Sequence, residues 1–454
     1  MTGLFARNSL VVRNRRSQLI LAICIGLYLF QFYFVCRYSV DIPYWDEWES
    51  FRPDQLPAGF SLSWLFAQHN EHRLVTTKLL VWLLYRLNGW DLVVHQVLNF
   101  VLYGLLLIWI GWFVRKAAPQ IPSWLQVSFM IFLLSTISFQ NHVMGYQSQV
   151  HFWLLFFLIA AYFLFHSSQK WSALIVGCLA SVLSIYSLAS GVVSSATLLL
   201  VFCLFKALRA YQSPAGRLRR RELSQLATVI AVTVAAIMFW FVGYQKPTIN
   251  SQLSLLVNRE FWDYYLNLVS FGFGVDRVSQ VAGVVCLVIV IAPVGALVVK
   301  RKGNLREAQW AVFATTIAIL VVFASVASGR SPLGTVQAKS PRYAEFGMVL
   351  IPFSMLAWGY LFEHKQRLQT AVIVGLWIFL MAMFWNNYRY KSYHVEHYRR
   401  IEGVQCVRKY YRQGGEALCP TIYPGSLTQK LEEAKNLNAS FYRTLLIYDS
   451  IDKK

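Results

Sequence analysis

Apolar residues in this chain fall in long unbroken runs, not in the two- or three-to-four-residue alternation of a soluble fold. Runs of about 17–22 residues match the length of helix that crosses a bilayer core. They lie near 18–36, 92–114, 122–139, 150–166, 172–188, 192–208, 224–243, 278–299, 308–327, 344–362 and 369–386. The pattern predicts an all-α polytopic membrane protein with about eleven transmembrane helices. The stretch 74–90 differs, because its leucines at 79, 80, 83, 84 and 87 are interrupted by Lys78 and Arg86. It fits an amphipathic helix lying in the interface. Counted as a span, it would invert every loop downstream.

Composition and charge agree. The 454 residues are 57% hydrophobic and only 14% charged, and the mean hydropathy is +0.45. The formal net charge of +21 does not point to nucleic acid, since no binding module accompanies it. The basic residues sit in short loops, where they orient the spans and meet anionic headgroups of membrane lipids. Clusters at Arg7 to Arg16, Arg115-Lys116, Lys206 to Arg221, Lys300 to Arg306, and Lys365 with Arg367 alternate with the spans, and the loops near 140–149 and 188–191 carry no Lys or Arg. The amino terminus is therefore expected inside, as a retained first helix, and the carboxyl tail outside. That gives a membrane module over 1–386 with outer loops 37–91, 244–277 and 328–343, and an extracytoplasmic tail over 387–454.

Polar residues gather on the outer side. Asp41-Ile-Pro-Tyr-Trp-Asp-Glu-Trp-Glu49 follows the first span, and His69-Asn-Glu-His-Arg73 precedes the amphipathic stretch. Ionisable groups at a membrane face are functional candidates. The inner loop 209–223 is too short for a nucleotide-binding domain, and there is no Walker or dinucleotide sequence. An enzyme with its acids outside must receive an activated substrate through the membrane, attached to a lipid. Transfer to a hydroxyl then needs a carboxylate that takes the acceptor proton. Asp46 is the first candidate and Glu47 the second, and Asp41 has nearly equal standing because it lies closer to the membrane. The acids could also hold a divalent cation, or simply face water in a loop anchored by Tyr44, Trp45 and Trp48. His69, Glu71, His72 and Arg73 suit an acceptor-site wall, with Arg73 paired to an acid, better than a metal site, since the zincin spacing is absent.

A lipid-phosphate leaving group gains negative charge in the transition state, and cations beside it lower the barrier. Arg330, Lys339 and Arg342 in loop 328–343 are the candidates, with Arg259 and Arg277 as alternatives. Snorkelling to ordinary headgroups is the competing role. His95, Gln96, Asn99, Gln140, Asn141, His142, Gln147 and Gln149 either line a sugar pocket or bond helix to helix.

A carboxylate-bearing outer loop after the first helix, an interfacial amphipathic helix and many spans together resemble the GT-C glycosyltransferases, membrane enzymes that use polyprenyl-phosphate sugars. Pro43-Tyr-Trp-Asp-Glu-Trp48, His69-Asn-Glu-His-Arg73, Gly145-Tyr-Gln-Ser-Gln149 and Gly329-Arg330 with Pro341-Arg-Tyr343 are similar to patterns in a bacterial subgroup of that class. The resemblance implies a GT-C-like bundle in a bacterial inner membrane. Its implied activity is inverting transfer of one sugar from a polyprenyl-phosphate donor to an extracytoplasmic acceptor, a cell-envelope or lipid-linked glycan. The alternative is a transporter or flippase for a lipid-linked glycan, but that predicts midplane charges and repeated halves. Here the ionisable groups concentrate on one face.

Among the cysteines, Cys24, Cys178, Cys203 and Cys286 lie within spans and Cys36 at the end of one, while Cys406 and Cys419 share the polar tail. On an oxidising side, with Gly414-Gly415 between them to let the chain turn back, these two are expected to form a disulfide. The topology has a direct check. In intact cells, Gln212→Cys and Gly303→Cys should be shielded from membrane-impermeant thiol reagents and Thr335→Cys should be labelled; the opposite pattern reverses the orientation.

Overall fold

A computed structural model gives the fold of residues 2–165, 170–212, 216–247, 253–270, 280–386 and 389–451. Among the described residues there are helices and turns and no strand, only the isolated bridges His69–His72 and Leu418–Ser426. Among the described residues nine helices are long and apolar enough to cross a membrane: Arg15–Tyr38, Leu92–Ala117, Ser123–Val143, Gly145–Phe165, Ala189–Gln212, Arg217–Phe241, Gln280–Lys300, Glu307–Leu333 and Pro341–Leu361. The chain is a polytopic helical membrane protein. The other two expected spans correspond to the shorter apolar helices Trp171–Ile185 and Gln366–Ala382. The first, at 15 residues, extends only about 22 Å against a bilayer core of about 30 Å.

Several of these helices are irregular for identifiable reasons. Within Pro341–Leu361 the regular helix stops at Met348 and resumes at Leu350. Pro352 has no N–H to give the Met348 carbonyl, so the ladder lapses there. Pro293 lies inside Gln280–Lys300 and likewise leaves the Ile289 carbonyl without its helical donor. That oxygen instead accepts the Ser354 hydroxyl and the Trp358 indole N–H, each at 3.0 Å. A backbone group that lipid could not satisfy is thus satisfied by a neighbouring helix. The Ser123–Val143 stretch is broken into Ser123–Ser128, Met130–Leu133, a 3-10 turn at Thr136–Ser138 and Phe139–Val143. There the Ser128 hydroxyl donates back to the Leu125 carbonyl at 2.7 Å, the local competition that makes serine a weak helix former.

The chain divides into two compact units. One comprises Met1–Tyr28, Leu105–Ser138 and Trp153–Tyr388; the other comprises Leu29–Gly104, Phe139–Phe152 and Arg389–Lys454. In the first, Lys206 is fully buried, its ammonium donating to Glu222 Oε2 at 2.6 Å and Gln225 Oε1 at 2.7 Å. Burying an ion is tolerated only with such partners.

The second unit gathers the polar loop after the first span and the carboxyl tail. The stretch expected to lie in the interface is the helix Val75–Asn88, with Val75, Thr76, Thr77, Lys78, Val81 and Leu84 buried. Leu79, Leu83 and Leu87 form an exposed row at i, i+4, i+8, which is the apolar stripe an interfacial helix needs. Gly89, at φ +75°, ends it, donating to the Tyr85 carbonyl while Trp90 donates to that of Leu84; a left-handed residue is best supplied by glycine. The tail folds as helices Tyr390–Gln413, Thr428–Asn436 and Ser440–Ile451. Cys406 and Cys419 are joined in a disulfide, with Cα atoms 5.8 Å apart.

Candidate functional site

The acidic loop coils into a seven-residue 3-10 helix, Trp45–Phe51, and this local geometry sends its four carboxylates to different places. Glu47 points inward and is completely buried. It accepts the Tyr44 N–H at 2.9 Å through one oxygen and the Tyr146 N–H at 3.1 Å through the other, and the Gly145 amide adds to them. Burial pushes its carboxyl up to about 6, against the lowering effect of the Arg400 charge and of these amides. Arg400 is itself buried, with its guanidinium over the Tyr44 ring at 4.7 Å and Nε and Nη1 enclosed without hydrogen-bond partners. Gly145 is required for the approach: a Cβ there would lie 2.3 Å from Nδ1 of His95.

Asp41 caps and staples. Its Oδ1 accepts the Leu92 N–H at 2.9 Å, at the start of the helix Leu92–Ala117, and its Oδ2 accepts the Ser440 hydroxyl at 2.7 Å and that of Thr444 at 3.5 Å. Burial pushes Asp41 up to about 6 despite those donors. Glu49 accepts the Tyr423 hydroxyl at 2.6 Å and pairs with Lys430 at 3.1 Å. Burial pushes it up, but Tyr423, Lys430 and Arg52 outweigh this and hold it below the usual carboxylate range.

Asp46 is the exception. It is half-buried and makes no hydrogen bond or ion pair among the described residues. Its charge acts on His69 and on Tyr146, which puts these groups in one neighbourhood. The His69 ring lies 5.5 Å from that of Tyr146, and its Nε2 is enclosed without a partner. Burial pushes the His69 imidazole down to about 4 despite the pull of Asp46, and His72 and Lys78 lower it further. It is therefore neutral at physiological pH. Both loops are strained here: Trp45, just before Asp46, has φ 50°, and Asn70, just after His69, also has φ 50°. Asparagine tolerates this region, but tryptophan rarely enters it, and such outliers concentrate where function demands them. The Trp45 N–H is held by the Ile422 carbonyl at 2.8 Å.

The remaining candidates in this unit are placed as follows. His69 and His72 exchange backbone hydrogen bonds at 2.8 Å, closing a tight turn, and His72 Nε2 lies 3.6 Å from Glu71. Arg73 donates to the Phe66 carbonyl. Gln147 is buried, its amide donating to the Met144 sulfur at 3.7 Å. No group of three His, Cys, Asp or Glu among the described residues is arranged to hold a metal ion.

Several polar residues of the spans bond to other segments of the same unit. Asn99 donates to the Asn141 and Met144 carbonyls at 2.6 and 3.0 Å, His142 pairs with the Tyr393 hydroxyl at 2.9 Å, and Trp90 donates to His95 at 3.1 Å.

The cations expected at the lipid phosphate belong to the other unit. Arg330 ends the helix Glu307–Arg330, Lys339 lies in a 3-10 turn, and Arg342 opens Pro341–Met348. All three are half-buried. Arg342 lies over the Tyr343 ring at 5.1 Å, and Tyr264 is beside both. The segment before them is tied down by Ser254 and Ser328, whose hydrogen bonds run both ways at 2.9 and 2.8 Å. Arg259 is spent at the surface on Asp263, 3.6 Å away, and Arg277 lies outside the described residues.

Sequence inspection does not pick out Arg400, Tyr423 or Lys430, because each is remote in sequence from the acid it serves and no local pattern marks it. Tyr146 lies in the pattern Gly145-Tyr-Gln-Ser-Gln149, but nothing in the sequence gives its partner, Glu47, 99 residues away. Comparison of the chain with protein-family models, with curated proteins and with solved structures finds no match.

Glu47→Gln keeps the volume but turns one accepting oxygen into a donor facing an N–H, and leaves the Arg400 charge uncompensated. It should cost about 3–5 kcal/mol, as for a broken buried charge pair, and lower the melting temperature of the purified protein. The pH dependence has a definite sign. With a native value near 6 above an unfolded value near 4.5, the native state takes up its proton first. Wild type should therefore gain stability relative to Glu47→Gln as pH falls from about 6 to 4.5. An unchanged melting temperature or the opposite sign contradicts this role.

Proposed function

We propose that the protein is a membrane glycosyltransferase of the GT-C type, moving one sugar from a polyprenyl-phosphate donor to an extracytoplasmic acceptor of the cell envelope. The observation that carries this proposal is the separation of the four acids. Asp41, Glu47 and Glu49 are committed to structural hydrogen bonds, while Asp46 keeps a carboxylate unbonded among the described residues, near enough to the neutral His69 for its charge to act on that ring, on strained backbone. A base must have its lone pairs free for the acceptor proton. In the proposed reaction Asp46 takes that proton as the acceptor oxygen bonds to the anomeric carbon. The bond to the carrier phosphate breaks on the opposite face, and the phosphate leaves with the electron pair, giving inversion. His69 orients the acceptor hydroxyl. Arg330, Lys339 and Arg342 are the proposed partners of the carrier phosphate, with guanidinium forks suited to phosphate oxygens. The disulfide in the tail supports an oxidising, extracytoplasmic side for that unit, and with it a bacterial inner-membrane protein whose amino terminus is cytoplasmic.

Asp46→Asn should leave expression and melting temperature near wild type and reduce transfer at least about 100-fold, the low end for loss of a general base. The readout is mass spectrometry of surface glycans for one missing hexose or pentose in cells that carry only the variant. Asp41→Asn should instead lower stability. Near-normal glycans in Asp46→Asn would exclude Asp46 as the base and favour transport without chemistry.

For the phosphate, Arg330→Ala and Arg342→Ala should impair use of the lipid donor more than Arg330→Lys and Arg342→Lys, since lysine keeps the charge and loses only the fork. Wild-type activity in all four variants would make these arginines headgroup anchors.

A further inference from the structure

The first unit holds a cavity of about 740 Å³ at the basic ends of its helices, within the range of small-molecule sites. It is built by the turn that follows Gln280–Lys300. Lys302 at φ 48° and Gly303 at φ +75° reverse the chain there, with the Gly303 N–H on the Val298 carbonyl at 3.0 Å. The reversal brings Arg301 and Arg306 to the same cavity wall, both paired with Glu363. Arg209 joins them from the end of Ala189–Gln212, paired with Glu307 at 2.6 Å, and Lys116 from the end of Leu92–Ala117.

Four cations thus face two carboxylates, and two positive charges remain uncompensated. Among the described residues Lys116 has no ion-pair partner, and the buried Nε of Arg301 makes no hydrogen bond. The amino end of the helix Glu307–Arg330 opens on the same space, adding its dipole to the side-chain charges. Phe205, Leu208 and Trp310 add an apolar part to the lining. Tyr360 is fixed at the floor by its hydroxyl on the Ala117 carbonyl at 2.6 Å, under the Arg306 guanidinium at 5.6 Å. Excess positive charge, guanidinium donors and an adjoining apolar wall make a site for a phosphate attached to an apolar body.

We propose that this cavity binds a phosphate-bearing anion, the headgroup of an anionic phospholipid or a soluble phosphate compound. Arg301, Arg306 and Lys116 contact its oxygens, and Phe205 and Trp310 pack on what they carry.

The test uses the full-length protein in nanodiscs, with native mass spectrometry counting retained lipid. In phosphatidylglycerol–phosphatidylcholine discs the wild type should retain phosphatidylglycerol. Lys116→Gln/Arg306→Gln should lose it about tenfold or more, the effect expected of removing charge-assisted hydrogen bonds. Arg219→Gln/Arg220→Gln, exposed and outside the cavity, should not. Ala308→Trp fills the space without touching a charge and should lower retention equally, which keeps the test valid if the charge variant folds poorly. Inorganic pyrophosphate added to pure phosphatidylcholine discs distinguishes the source. Saturable binding there without phosphatidylglycerol preference assigns a soluble ligand, and the reverse assigns a lipid. Retention that is unchanged in both cavity variants, equal loss in the control, or neither probe bound overturns the proposal.

Discussion

The second unit depends on one buried carboxylate. Glu47 collects the N–H groups of Tyr44 and Tyr146, one on each oxygen, and so joins a loop that follows the first span to a turn roughly a hundred residues later. Neither segment has regular secondary structure long enough to satisfy its own backbone. A charged acceptor with several lone pairs can do what a single neutral side chain cannot. The burial of that charge is tolerable because Arg400, brought in by the tail, supplies positive charge and because the amides are already aimed. Three distant parts of the chain are held by one side chain.

Once Glu47 and Asp41 are fixed, the conformation of the five residues between them is constrained. Asp41 is fastened to the first turn of Leu92–Ala117 and to Ser440, and Trp45 is forced to positive φ with its N–H on Ile422. Strain of this kind costs about 1–3 kcal/mol and persists only where the surroundings over-determine it. Asp46, the next residue, makes no hydrogen bond or ion pair among the described residues. Burial desolvates His69, which keeps its imidazole neutral. An unbonded carboxylate near a buried, unpartnered ring nitrogen is costly to hold in a folded protein, and here both lie on strained loops.

The same physical demand governs the first unit in a different form. In an apolar surrounding, each backbone group released by proline or serine must find a partner inside the protein. Ser354 and Trp358 take the carbonyl freed by Pro293, and Glu222 with Gln225 take the ammonium of Lys206. At the basic ends of the helices water is available, so this demand relaxes, and the arginines there can remain only partly neutralised.

The apolar runs by themselves determined that the chain is helical and membrane-spanning, because a run of about 20 apolar residues in lipid has no other way to satisfy its backbone. They also located the helices to within a few residues. The acidic loop and the histidine turn were legible as candidates because charge amid apolar sequence stands out. Tertiary structure alone decided how those candidates differ. Asp41, Asp46, Glu47 and Glu49 are equivalent as a sequence, and their separation into three structural acceptors and one unbonded carboxylate comes from Tyr146, Ser440, Tyr423 and Lys430, residues that only the fold brings near. The charge excess in the cavity arose the same way. Hydrophobicity is a sum over a segment and can be read along the chain; hydrogen bonds and charge pairs belong to specific atoms of residues far apart in it, and only folding assigns their partners.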